Sequence, residues 1–144
     1  MNKHLLVRNE GGARHDFPRE FCVVKLASSD TDADISLIEY DLKPNFRAQR
    51  HYHKKATQVF YILEGEFDFN FGDEAVTILV GDTLAVPPNV WHAAESKEGG
   101  RMICVFRNGR FDEFLERLSS LPEEKMQDSE FMQGLCEEFD TFER

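Results

Sequence analysis

The sequence predicts an all-β fold that carries a C-terminal α-helical extension, and three observations lead there. Short apolar segments recur between about residues 20 and 107, separated by Gly, Pro, Asn and Asp at the spacing of a sandwich or barrel. Inside them apolar and polar residues alternate, most clearly where Phe67, Phe69 and Phe71 interleave with Glu66, Asp68 and Asn70. After Asn108-Gly109 the period lengthens to that of a helix, with Phe111, Phe114, Leu115 and Leu118 at i, i+3, i+4 and i+7.

Taken in order, strands are expected at 20–27, 35–42, 57–63, 66–71, 75–80, 83–86, 91–96 and 101–107. Glu64-Gly65, Gly72-Asp73, Gly81-Asp82 and Pro87-Pro88-Asn89 supply the turns through positive or fixed φ, and Gly99-Gly100 should close the last hairpin. Pro122 stops the first helix. A second should start with Asp128 or Ser129 as N-cap and bury Phe131, Met132, Leu135, Cys136 and Phe139. Helices this short do not stand alone. The expected division is therefore a β-barrel over 1–110 and an extension over 111–144 that packs on the barrel or on a partner subunit.

Composition narrows the function. The 144 residues include 27 Asp+Glu and 17 Lys+Arg, giving a formal charge of −10 and a pI of about 4.9. That argues against a nucleic-acid binder, which needs clustered cations for phosphate. The excess is uneven: residues 111–144 hold 11 acidic and 3 basic side chains, so the barrel is nearly neutral. A hydrophobic share of 41% is enough for a real core. No apolar run approaches the ~18 residues of a membrane span, and the start has no apolar leader segment. A cytoplasmic protein is expected. Cys22, Cys104 and Cys136 fall inside apolar patterns and read as reduced core residues.

The chemistry centres on three histidines. In His51-Tyr52-His53 the two imidazoles share a face if the segment is extended. Gln58 begins the next strand, in register with Phe60 and Ile62. Farther on, Gly81, Pro87 and Asn89 precede His92, which can return to the first two histidines.

At these residues the sequence resembles the cupin superfamily. The first cupin motif, G-x5-HxH-x3-4-E-x6-G, is approached by NFRAQRHYHKKATQVFYILEG over 45–65, with Asn45 for the first Gly and Gln58 for Glu. The second, G-x5-PxG-x2-H-x3-N, is approached by GDTLAVPPNVWHAAES over 81–96, with Asn89 for Gly and Ser96 for Asn. The resemblance implies a double-stranded β-helix, or jelly-roll, barrel. It implies a divalent transition metal, Fe(II), Zn, Ni or Mn, held by His51, His53 and His92 with Gln58 in the carboxylate's place. Such a site carries +2 rather than +1 and lacks the general base a Glu supplies. It favours a substrate bringing its own negative charge.

The expected function is therefore a mononuclear metal-dependent dioxygenase or related oxidoreductase acting on a small anionic or enolisable molecule. The alternative is a non-catalytic small-ligand or metal-binding cupin, and after it an isomerase or cyclase. Tyr40 is the candidate catalytic hydroxyl for orienting substrate. Phe60, Phe67, Phe69, Trp91 and Phe106 are candidate pocket walls whose default role is packing. Tyr52 should face outward, to solvent or an interface. Arg47, Arg50, Lys54 and Lys55 should form a solvated rim, His4 and His15 should be surface residues, and Cys104 should be an inert buried thiol. Expected partners are a small-molecule ligand in the barrel and a second copy as homodimer, with no nucleic acid and no membrane.

Overall fold

The computed structural model describes residues 3–143. Ten strands run β1 (Ala13–Phe17), β2 (Glu20–Leu26), β3 (Ile35–Leu42), β4 (Phe46–His51), β5 (Thr57–Gly65), β6 (Phe67–Asn70), β7 (Ala75–Ile78), β8 (Thr83–Val86), β9 (His92–Ser96) and β10 (Gly100–Arg107). Helices α1 (Phe111–Ser119), α2 (Glu123–Met126) and α3 (Ser129–Glu138) follow. The strands form two antiparallel sheets, β1-β2-β3-β10-β5-β8 and β4-β9-β6-β7.

From β3 onward nearly every connection changes sheet, which winds the chain into a jelly-roll; β6 and β7 are the exception, a hairpin across Gly72-Asp73. Gly99-Gly100 therefore does not close a hairpin as the sequence suggested, but carries the chain from one sheet to the other. The crossing is tight. Gly65 and Gly99 have φ of +85° and +76°, and a Cβ on either would run into the carbonyl oxygen of Gly99 or Leu42. Ser96, in the second motif's last position, is buried here and bonds Glu66 O and Gly99 N. Asn45 and Asn89, which replace motif glycines, sit at φ of 65° and 66°, the left-handed region Asn tolerates best after Gly.

Strand register arranges the interior in rows. Cys22, Tyr40, Met102 and Ile62 face one another across β2, β3, β10 and β5. The next row is Ile38, Cys104, Phe60 and Leu84, and beyond it come Ser36, Phe106, Gln58 and Val86. Phe67, Phe69 and Ala94 close the core from the smaller sheet, with the Phe60 and Phe69 rings 4.9 Å apart. Phe71, the third residue of that alternation, is half-buried.

Strands β1 and β4 were not anticipated: ARHDF and FRAQRH are too polar to signal a strand and depend on their neighbours β2 and β9. Helix α1 ends at Ser119, ahead of Pro122, which instead caps the short exposed α2. Asp128 caps α3 by accepting from Phe131 N–H at 3.1 Å. Leu115 of α1 joins the barrel core, while Phe114, Leu135 and Phe139 form a second cluster beside it. All three cysteines are free.

Candidate metal centre

The β4–β9 ladder delivers two of the three histidines. After a register shift beyond Ala48, His51 lies directly opposite His92, and their ring centroids are 4.3 Å apart. His53 falls past the end of β4, so the HxH pair is only half on a strand. Its ring is nonetheless 5.0 Å from His51 and 5.7 Å from His92. One ligand atom from each histidine lies within 4.8 Å of the others.

Main-chain carbonyls set the tautomers. His51 Nδ1 is 2.7 Å from Gln49 O, His53 Nδ1 is 2.9 Å from Asp140 O and His92 Nδ1 is 2.9 Å from Val90 O. A carbonyl only accepts, so each Nδ1 carries the proton and donates it, leaving the Nε2 lone pair free. Nε2 of His53, Nε2 of His92 and Oε1 of Gln58 are buried without a hydrogen-bond partner. Unpartnered buried acceptors are costly, and three of them beside a histidine cluster make a donor set suited to a first-row divalent ion.

Burial holds the ring pKa values down. It is the main cause for all three histidines, with His51 next in order for His53 and His92, and His92 falls to about 4. At neutral pH the imidazoles are uncharged and competent to coordinate. In the unfolded chain they titrate near 6.5, so below that pH the unfolded state binds more protons and gains on the folded one. The metal-free protein should lose stability as pH falls from about 6.5 toward 4, by up to ~1.4 kcal/mol per pH unit per group. Thermal midpoints of wild type and His92→Ala across that window check this. The wild-type curve should fall more steeply, and parallel curves would contradict burial of His92 in neutral form.

Gln58 and two of the histidines, His51 and His92, open on a cavity of about 380 Å³ that runs from the barrel interior to the C-terminal segment, where Leu118, Met132, Cys136 and Glu143 line it. Tyr40 also lines it, two rows from Gln58, and burial, then Cys104 and Glu20, push its phenol well above the usual range, so it is a hydroxyl donor and not a base. Phe60 and Phe69 form walls. The other aromatic candidates serve elsewhere: Phe67 is core, and Phe106 stands edge-on behind His53 at 6.1 Å. Trp91 packs outside, with Tyr52 at 4.5 Å and the Arg50 guanidinium at 4.5 Å.

Tyr52 does point away from the histidines, but the chain's own Phe142 stacks on it at 5.4 Å. Arg47 reaches the cavity rim and pairs with Glu95 at 3.2 Å. Lys54 lies 4.1 Å over the Phe142 ring. Cys104 lines the cavity with its thiol pushed far up by burial, hence protonated and inert. His15 contacts Ser119 Oγ at 3.1 Å, and His4 is exposed.

Two residues were missed. Glu20, one row beyond Tyr40, lines the cavity with its carboxyl pKa raised by burial. Its signal was present, because the alternation Glu20, Cys22, Val24 puts it on the inner face. Asp140, which holds His53, gave none.

Residues 38–106, from β3 to β10, match the cupin domain family, and that stretch contains all three histidines and Gln58. The chain carries a cupin domain. Among solved cupin-fold structures it is similar to KdgF from Halomonas sp., at 18% identity and TM-score 0.66 over 77% of this chain and 99% of that one. It is also similar to an RmlC-like cupin from Shewanella frigidimarina NCIMB 400, at 23% identity and TM-score 0.65 over 77% and 96%. A curated relative, quercetin 2,3-dioxygenase of Bacillus subtilis (strain 168), is 28% identical over 93 residues, 64% of this cupin but 28% of that protein. Among the described residues no helix is long and apolar enough to cross a membrane.

Proposed function

We propose that this cupin is a mononuclear metal-dependent dioxygenase or related oxidoreductase for a small anionic or enolisable molecule. One observation carries the reading: three imidazoles are held as Nδ1–H tautomers, and Nε2 of His53, Nε2 of His92 and the Gln58 amide oxygen are buried and unpartnered beside one another. A divalent ion bound there supplies Lewis acidity and, if redox-active, electrons for O₂. With four neutral donors the ion keeps its +2 charge and attracts an enolate, phenolate or carboxylate. The likeness to a quercetin dioxygenase supports the oxygenase branch.

The rest of the cavity describes the ligand's other end. Phe60, Phe69 and Met102 exclude water around an apolar body, and Tyr40 and Glu20 offer a hydroxyl and a raised-pKa carboxyl to a polar group far from the histidines. The fitting ligand is an elongated, largely apolar molecule with a chelating oxygen pair at one end. Gln58 favours one other reading, because an amide takes no proton from such a ligand: capture of the same ligand without turnover.

Untagged protein should hold close to one transition-metal ion per chain by elemental analysis. The Fe(II)-loaded protein should consume O₂ with one class among flavonols, catechols and 1,3-diketones. A native protein free of metal sinks the enzyme reading; metal without O₂ uptake leaves ligand capture.

A further inference from the structure

The segment after α3 returns to the loop that carries His53, 84 to 87 residues earlier in the chain. Asp140 meets it twice. Its carbonyl accepts the His53 Nδ1–H at 2.9 Å, and its carboxylate accepts the N–H groups of Lys54, Lys55 and Ala56, each at 2.9 Å. Two residues on, Phe142 and Tyr52 exchange a pair of main-chain hydrogen bonds at 2.9 and 3.0 Å, an added bridge at the end of β4. Asp140 adopts φ of 59°, which turns both its carbonyl and its side chain toward the loop. Leu135 and Phe139, packed on Phe114, anchor the segment from behind.

We propose that Asp140 is a positioning residue of the metal centre and that docking of residues 139–143 and metal binding at His53 strengthen each other. The inference rests on metal occupancy of the three-histidine site. Coordination through Nε2 draws electron density from the ring and makes Nδ1–H a better donor, so the bond to Asp140 O tightens when metal binds. Three successive N–H groups converging on one carboxylate fix residues 54–56, and hence the direction in which His53 leaves the backbone. Because the coupling is thermodynamic it runs both ways: whatever undocks the segment weakens metal binding by the factor by which metal resists undocking.

The test uses the full-length chain. Zn²⁺ affinity is measured by competition with a chromophoric chelator, the Co²⁺ form by its visible d–d absorption, and amide exchange with and without Zn²⁺. Asp140→Ala should bind Zn²⁺ about 10- to 100-fold more weakly and shift the Co²⁺ bands. Asp140→Asn keeps one acceptor oxygen and tolerates the left-handed backbone, so it should fall between, and it serves also if the Ala variant does not fold. Ile78→Val trims a buried side chain of β7, outside the cavity and on no element that holds residues 139–143, and should leave Zn²⁺ affinity and the Co²⁺ spectrum unchanged, separating positioning from general destabilisation. Zn²⁺ should slow exchange at Lys54, Lys55, Ala56 and Phe142 in wild type and much less in Asp140→Ala. Wild-type affinity and spectrum in both Asp140 variants overturn this proposal alone. Failure of the wild type to bind Zn²⁺ or Co²⁺ overturns it together with the metal reading.

Discussion

His92→Ala abolishes metal retention while leaving the barrel folded. His92 is 2% exposed and faces His51 across the β4–β9 ladder, so its loss leaves two imidazoles and an amide of the original donor set. Removing an outer partner of a ligand costs about 10- to 100-fold in affinity, and removing the ligand itself should exceed that. Elemental analysis should fall from near one ion per chain to background, with any O₂ uptake lost in parallel. The apo fold should tolerate the change, since an unpartnered buried Nε2 disappears with the ring. Full metal content in His92→Ala would rule the histidine cluster out as the site. Gln58→Glu makes the contrast: it places an anionic oxygen where the amide stood, so metal should bind more tightly and anionic ligands more weakly. Calorimetric titration reads both changes, and unchanged values would show that Gln58 stays off the metal.

Phe106→Ala should cost the most stability, about 3–5 kcal/mol, and lower the thermal midpoint by roughly 10 °C at 2–4 °C per kcal/mol. Phe106 is 1% exposed. It stacks on Phe111 at 4.4 Å with the rings 14° apart, tying α1 to the barrel, and its edge contact braces His53. Truncation therefore opens a void at the junction of barrel, helix and metal site, and metal affinity should fall with stability. Urea unfolding and Zn²⁺ titration of one preparation check the pair. A loss below ~1 kcal/mol would mean that α1 collapses into the void.

The sequence displayed this site unevenly, for physical reasons. Strands β5, β6 and β10 bury one face and keep strict alternation, so Phe60, Phe67, Phe69 and Cys104 could be placed inside from periodicity alone. Strand β4 could not, because Arg47 and Arg50 are exposed and a register shift breaks its period before His51. The histidines were legible through motif spacing. Their tautomers were not, since these depend on which carbonyl each Nδ1 reaches. For His51 and His92 that carbonyl is two residues away, but for His53 it belongs to Asp140. A residue whose partners lie 84 or more positions earlier leaves no local pattern. Tyr52 illustrates the same blindness: its outward direction followed from alternation, whereas the identity of what covers it depended on where the tail returns.

Strand order also sets a timetable. β10 lies between β3 and β5, so until residues 100–107 exist the six-stranded sheet is two unconnected halves, β1-β2-β3 and β5-β8. A growing chain reaches that stage with Gln58 on one half, His51 and His53 on the segment leading to it, and the open edges of β3 and β5 both apolar and unpaired, the condition in which strands join the wrong neighbour. Insertion of β10 is therefore the step that converts a collection of hairpins into a vessel. Metal arriving earlier finds the histidines without the Phe106 ring that stands behind His53, and a chain stalled before that step is a substrate for aggregation or proteolysis.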